Sequence, residues 1–204
     1  MVTALIGAAL ILSGFVVLNA FVVRANLQTE RPGHLAAVSR IMAWLTLAAA
    51  VALPVLIVVT YLEPNATAPL FLRLTHLNPG NRLSDSVPLD ARVMALAIAL
   101  VPIAVAVWGL LTLHRLLLGF ATRDVFSQSA GKLLRTISLC IFVAEVASFL
   151  AEGPITYLLM RHEQISFSIG LEDLTALFTA SVVAIMASVM LEATRVADEN
   201  AKFV

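Results

Sequence analysis

Long apolar runs alternate with short charged segments along the whole chain. A window of about 19 residues, the length used to find transmembrane helices, marks five runs. Each run is close to the roughly 20 residues that a spanning helix needs. The runs cover residues 1–23, 41–62, 93–113, 136–160 and 174–191. The pattern predicts an all-α integral membrane helical bundle of four to five transmembrane helices.

The composition excludes an ordinary soluble domain. The 204 residues are 60% hydrophobic and 13% charged, whereas soluble domains are about 45–50% apolar and 25% charged. The formal net charge of zero gives no basic face for direct nucleic acid binding. The lipid bilayer is therefore the first expected partner.

Basic residues are distributed unequally between the two sides of the predicted membrane. Nine of the 13 Lys and Arg residues lie in the segments after the first and third runs and at the C-terminus. By the positive-inside rule these segments are cytoplasmic. We therefore expect a membrane protein with a cytoplasmic C-terminus.

We expect the chain to have two parts. Residues 1–38 are predicted to form an N-terminal apolar helix, an extra span, followed by a basic cytoplasmic loop, and residues 39–204 are predicted to form a four-helix membrane domain. This domain has an external loop at 63–91 and a cytoplasmic tail at 192–204. A signal peptide is the alternative for residues 1–23, but the run is long and no basic residue precedes it, which favours a retained span.

The fourth run carries a polar stripe. Glu145 and Glu152 are seven residues apart and share one helical face with Ser148. Inserting two acids at the centre of a membrane helix costs roughly 5–7 kcal/mol of free energy, whereas the apolar residues of the run contribute roughly 3–6 kcal/mol in favour of insertion. We therefore expect the stripe to face other helices or a wet cavity, with its carboxyls protonated or hydrogen-bonded.

Each acid of the stripe has two interpretations. Glu145 either handles a proton or an ion, or, as the favoured structural alternative, hydrogen-bonds to polar side chains such as Asn19, Thr179 or Ser181. Glu152 precedes Gly153-Pro154, so a helix break would leave its carboxylate solvated at the membrane boundary.

The segment between the third and fourth runs is predicted to form a turn followed by the start of a helix. Ser127 is predicted as its N-cap, with the preceding Phe126 packing back as an apolar staple. Lys132 and Arg135 can meet anionic lipid headgroups. The candidate residues of this cytoplasmic turn are Asp124, Phe126, Ser127, Lys132 and Arg135.

The C-terminal tail is predicted to continue the last helix as an amphipathic extension. It offers either a partner-binding surface or a solvated helix end with Glu192–Arg195 and Arg195–Glu199 ion pairs. The candidate docking residues are Arg195, Asp198, Glu199, Asn200 and Phe203.

Recognisable catalytic, cofactor and metal chemistry is missing from the sequence. The four histidines are scattered, without metal-site spacing, and His114, beside Arg115, is expected to anchor in the headgroups. Cys140 is alone and reads as a small apolar filler. We expect no cofactor and no metal.

Several short motifs resemble the bacterial membrane-protein family catalogued as domain of unknown function 2975. They are Gly119, Asp124-Val125-Phe126-Ser127, Leu134-Arg135-Thr136-Ile137, Ala197-Asp198-Glu199-Asn200 and Phe203-Val204. The resemblance would cover about residues 39–204 and implies four membrane helices, with residues 1–23 as a departure. It implies no activity, but the family's genes often neighbour small helix-turn-helix regulators.

Two functional hypotheses follow. The first is a non-enzymatic membrane protein whose cytoplasmic turn and tail dock a regulator, with a cytoplasmic helix-turn-helix protein as the partner that the resemblance implies. The alternative is a small transporter or channel component, working as a homo-oligomer, in which Glu145 exchanges a proton or binds a cation.

Overall fold

The structure, a computed structural model, describes residues 33–62, 88–122, 127–159 and 169–201, and every regular element in them is an α-helix. The helices are α1 (Gly33–Leu62), α2 (Leu89–Ala121), α3 (Gln128–Leu159) and α4 (Leu171–Ala201). All four are long and apolar enough to cross a membrane. The all-α membrane fold is confirmed for these residues, and the expected fifth span at 1–23 lies outside them.

Every described helix begins before the apolar run that predicted it, and α2 and α4 also end beyond their runs. The first turn of α1 lies in the stretch predicted as a loop up to residue 38, and α2 begins at Leu89, inside the predicted external loop 63–91. A hydropathy window detects only the apolar part of a helix, whereas backbone hydrogen bonds continue into the charged turns at either end.

Each helix packs against its neighbour in the chain. The extensive contacts are α1 with α2, α2 with α3 and α3 with α4, and among the described residues α1 and α4 make no contact of this extent. The loop end of the molecule is where α1 and α3 end and α2 and α4 begin. The tail end is where α2 and α4 end and α3 begins.

Small residues fill the interior, and large apolar residues cover the outside. Among the described residues, 16 hydrophobic residues are buried, and nine of them are alanines. The large side chains of Trp44, Trp108 and Phe178 are each more than 60% exposed. Lipid is as apolar as leucine, so membrane helices associate through close approach of small residues. This distribution is the one expected of helices that share a bilayer.

His114 joins α1 to α2 near the tail end. Its Nδ1 lies 2.7 Å from the carbonyl oxygen of Ala43, which also accepts the hydroxyl of Thr46 at 2.8 Å. His114 was expected to anchor in the headgroups; the structure shows in addition that its ring is partly buried and bridges two helices.

Candidate functional site

The polar stripe of α3 lines a cleft between α3 and the beginning of α4. We call this pocket, of about 230 Å³, the α3–α4 cleft. Its described lining residues are Glu145, Val146, Ser148, Phe149, Glu152, Ile169, Asp173, Leu174 and Leu177. The structure thus brings the three predicted stripe residues together on one surface.

The two acids of the stripe lie on the covered side of α3, Glu145 partly buried and Glu152 buried, whereas Ser148 is exposed. Ile137 and Ile155 belong to the clusters that pack against α2, whereas Ser138 and Gly131 face α4. The stripe lies between these two sides on the helical wheel. Its seven-residue spacing therefore places both carboxyl groups toward the interior of the helix assembly.

Glu152 is buried rather than solvated. It is only 6% exposed, and α3 continues through Pro154 to Leu159 without a break. The hydroxyl of Thr156 donates to the carbonyl of Gly153 at 2.8 Å, next to the proline. The expected helix break is wrong, because a chain surrounded by lipid must keep its backbone hydrogen bonds and tolerates a proline inside the helix.

Asp173 is a cleft residue that the sequence analysis missed. Its Oδ2 accepts the backbone N–H of Gly170 at 2.6 Å, which is how an acidic side chain three residues into a helix caps the helix N-terminus. The acidic residues that follow Gly170, ahead of an apolar stretch, could have predicted the cap from the sequence. The position of Asp173 in the cleft could not be predicted in this way, because it depends on how α3 and α4 pack.

Two of the three polar partners proposed for Glu145 lie elsewhere on α4. Thr179 and Ser181 donate to the carbonyls of Thr175 and Leu177 in their own helix and do not line the cleft. Asn19 lies outside the described residues.

The carboxyl groups of the cleft can carry protons or form hydrogen bonds. Its walls are mainly apolar, with Glu145 partly buried, Glu152 buried and no basic residue among the described lining residues. No group of three potential metal ligands occurs in the described part of the chain. An acid in such surroundings can carry a proton or hydrogen-bond to a helix placed against it.

The tail end contains the predicted N-cap of α3. The Oγ of Ser127 accepts the N–H of Ala130 at 3.2 Å and lies 2.7 Å from the Oγ of Ser129, so the Ser127 N-cap is confirmed. Lys132 and Arg135 are exposed on the following turns. Asp124 and Phe126 lie outside the described residues.

The tail of α4 begins at the point where α4 packs against the first turn of α3, because Leu191 contacts Gly131. A Cβ atom built on the buried Gly131 would lie 2.7 Å from Cδ2 and 2.8 Å from Cγ of Leu191. Only a glycine lets the two helices approach this closely. The predicted turn and tail are therefore parts of one continuous surface.

The tail is helical to Ala201, and its predicted ion pairs are present. Arg195 contacts Glu192 at 3.0 Å and Glu199 at 3.6 Å, with all three side chains about 60% exposed. Asn200 is exposed. The side chain of Asp198 and the residue Phe203 lie outside the described part.

The comparisons with known proteins give one match. A family model described as protein of unknown function (DUF2975) matches residues 80–204. The match includes α2, α3 and α4 and leaves out α1, so it is shorter than the expected 39–204. No curated protein and no solved structure matches the chain.

Proposed function

The chain belongs to the DUF2975 family, and we propose that it is a non-enzymatic multi-pass membrane protein that docks a cytoplasmic protein at its tail end. The observation that carries this proposal is the contact of Gly131 with Leu191. It makes one surface of two segments that are 60 residues apart in sequence.

The charges of this surface are available to a partner. Exposed ion pairs such as those of Arg195 contribute little to stability, about 0–1 kcal/mol each, and exchange readily for pairs with another protein. Lys132, Arg135 and Arg195 are all exposed at this end. The surplus of basic residues here supports its placement in the cytoplasm.

The proposed partner is a cytoplasmic regulator of the helix-turn-helix class, and the proposed location is the bacterial inner membrane. Support for this partner comes from the family resemblance alone, by analogy. The membrane protein itself, with no net charge, would touch no nucleic acid.

The test is crosslinking and copurification from native membranes in a gentle detergent. We expect a cytoplasmic protein to be recovered with the full chain and lost when the chain is truncated after Thr194. Gly131→Leu should also weaken recovery, because the larger side chain pushes Leu191 and the tail away from α3.

The matched control is Gly119→Leu. A Cβ at Gly119 meets nothing within 4 Å, so this variant should recover the partner at the level of the unchanged protein. If all variants bring down the same proteins, or if only lipid and further copies of the chain are recovered, the docking proposal is wrong.

The α3–α4 cleft favours a second candidate function, proton or cation transport through Glu145 in an oligomer. In proteoliposomes this function predicts a pH-driven flux that Glu145→Gln removes and Ser148→Ala retains. Absence of flux in the unchanged protein, or equal flux in Glu145→Gln, would exclude it.

A further inference from the structure

We propose that Arg92 binds the phosphate group of an anionic phospholipid at the loop end of the molecule. This site lies at the opposite end of the helices from the proposed docking surface. Arg92 is also not among the described residues that line the α3–α4 cleft. The lipid proposal and the two proposed functions can therefore fail independently.

Arg92 differs in burial from the other basic residues that the structure describes. Arg92 is partly buried, whereas the other described Lys and Arg residues are all exposed. The exposed ones are Arg40, Arg115, Lys132, Arg135 and Arg195. Lys and Arg side chains normally extend into water, so local packing must hold Arg92 back.

The position of Arg92 on α2 explains its burial. It lies three residues before Ala95 and seven before Ala99, so the three residues share one face of the helix. Ala95 and Ala99 are buried in the cluster that α2 forms with Tyr61 of α1 and Leu159 of α3. Side chains on a helix lean toward its N-terminus. The Arg92 side chain therefore extends from this three-helix junction toward the loop end.

The guanidinium of Arg92 pairs with no acidic side chain in the described part of the chain. Its Nε is shielded from solvent and has no hydrogen-bond partner there. Asp90, two residues earlier, lies about 200° away around the helix. A cation that is partly removed from water is stabilised by an anion that accepts its remaining N–H groups.

The surroundings of Arg92 favour a lipid phosphate as this anion. An apolar run begins at the next residue, so Arg92 lies at a membrane boundary, where lipid headgroups are found. Within one turn of it, Leu89, Val93 and Met94 are 63%, 48% and 59% exposed. Acyl chains can pack on these apolar side chains while the guanidinium binds the phosphate. A free phosphate ion would use the charge alone.

The test is native mass spectrometry of the purified full-length protein in a mild detergent with added phosphatidylglycerol. The unchanged protein should bind this lipid, and Arg92→Gln should weaken the binding about tenfold, because a charge-assisted hydrogen bond is lost. Arg92→Lys keeps the positive charge and should bind more tightly than Arg92→Gln. The matched control is Arg115→Gln, which removes an exposed charge at the other end of α2 and should leave the binding unchanged.

A thermal measurement separates lipid binding from a purely structural role of Arg92. Phosphatidylglycerol should raise the melting temperature of the unchanged protein, because a ligand that binds only the folded state stabilises it. The rise should be smaller in Arg92→Gln. If Arg92→Gln melts at a lower temperature without lipid and then gains as much from lipid as the unchanged protein, the role of Arg92 is structural and the proposal is wrong.

Two further probes identify the source of the phosphate. Phosphatidylcholine carries a cation that offsets its phosphate charge and should bind more weakly than phosphatidylglycerol. Inorganic phosphate should not displace the bound lipid. Displacement by inorganic phosphate would assign the site to a free anion, and equal binding of the two lipids would show that charge does not select the ligand. Either result, or no binding of phosphatidylglycerol to the unchanged protein, would overturn the proposal.

Discussion

At the scale of single residues, the side chain of Ser138 joins α3 to α4 by a hydrogen bond. The hydroxyl of Ser138 donates to the carbonyl of Ala180 at 2.8 Å, and both residues are buried. Ser138 precedes Glu145 by seven residues, so the bond lies on the same side of α3 as the polar stripe. It therefore helps to fix the rotation of α3 that turns Glu145 toward the cleft.

Replacing Ser138 with alanine should lower the free energy of unfolding by about 0.6 kcal/mol, the average for hydrogen bonds between membrane helices. The control is Ser188→Ala, because the exposed Ser188 donates to the carbonyl of Ala184 in its own helix. Unfolding in mixed micelles with increasing denaturing detergent measures both. If Ser188→Ala lowered the free energy of unfolding as much as Ser138→Ala, the stabilising role of the Ser138 hydrogen bond would be contradicted.

At the scale of helices, the sequence predicted what depends on local signals. The four described helices follow from hydropathy, and the cap at Ser127 follows from residues within one turn of it. The burial of Glu152 and the bridge from His114 to α1 were not predicted, because each depends on which helix lies opposite. Asp173 was missed for the same reason, since α4 brings it to a cleft formed by α3.

The N-cap of α3 gives a prediction at this scale. Ser127→Ala should lower stability by about 1 kcal/mol, whereas Ser127→Asp should keep the cap because its carboxylate can accept the same N–H. Hydrogen exchange of the backbone amides at 129–131 should accelerate only in the alanine variant. Equal exchange in both variants would show that the cap does not hold this turn.

At the scale of the whole molecule, the placement of small residues inside and large residues outside requires a lipid environment. In water, exposed side chains such as Trp44 and Trp108 would form a large apolar surface, which is unfavourable. The distribution of basic residues then predicts which end faces the cytoplasm.

Cysteine labelling tests this orientation in the Cys140→Ala background. Leu89 is 63% exposed at the loop end, and Ala197 is exposed at the tail end. A membrane-impermeant maleimide should label Leu89→Cys in intact cells, and Ala197→Cys only after the membrane is opened. The reverse pattern would invert the proposed topology.

The packing of each helix against its neighbour in the chain has a consequence for biosynthesis. Every described helix except α1 meets a partner that has already left the ribosome, so packing can proceed in the order of translation. Contacts between neighbouring segments need only short loops to close. The described helices can therefore pack one at a time starting from α1, and α4, the last of them to be made, completes the wall of the cleft.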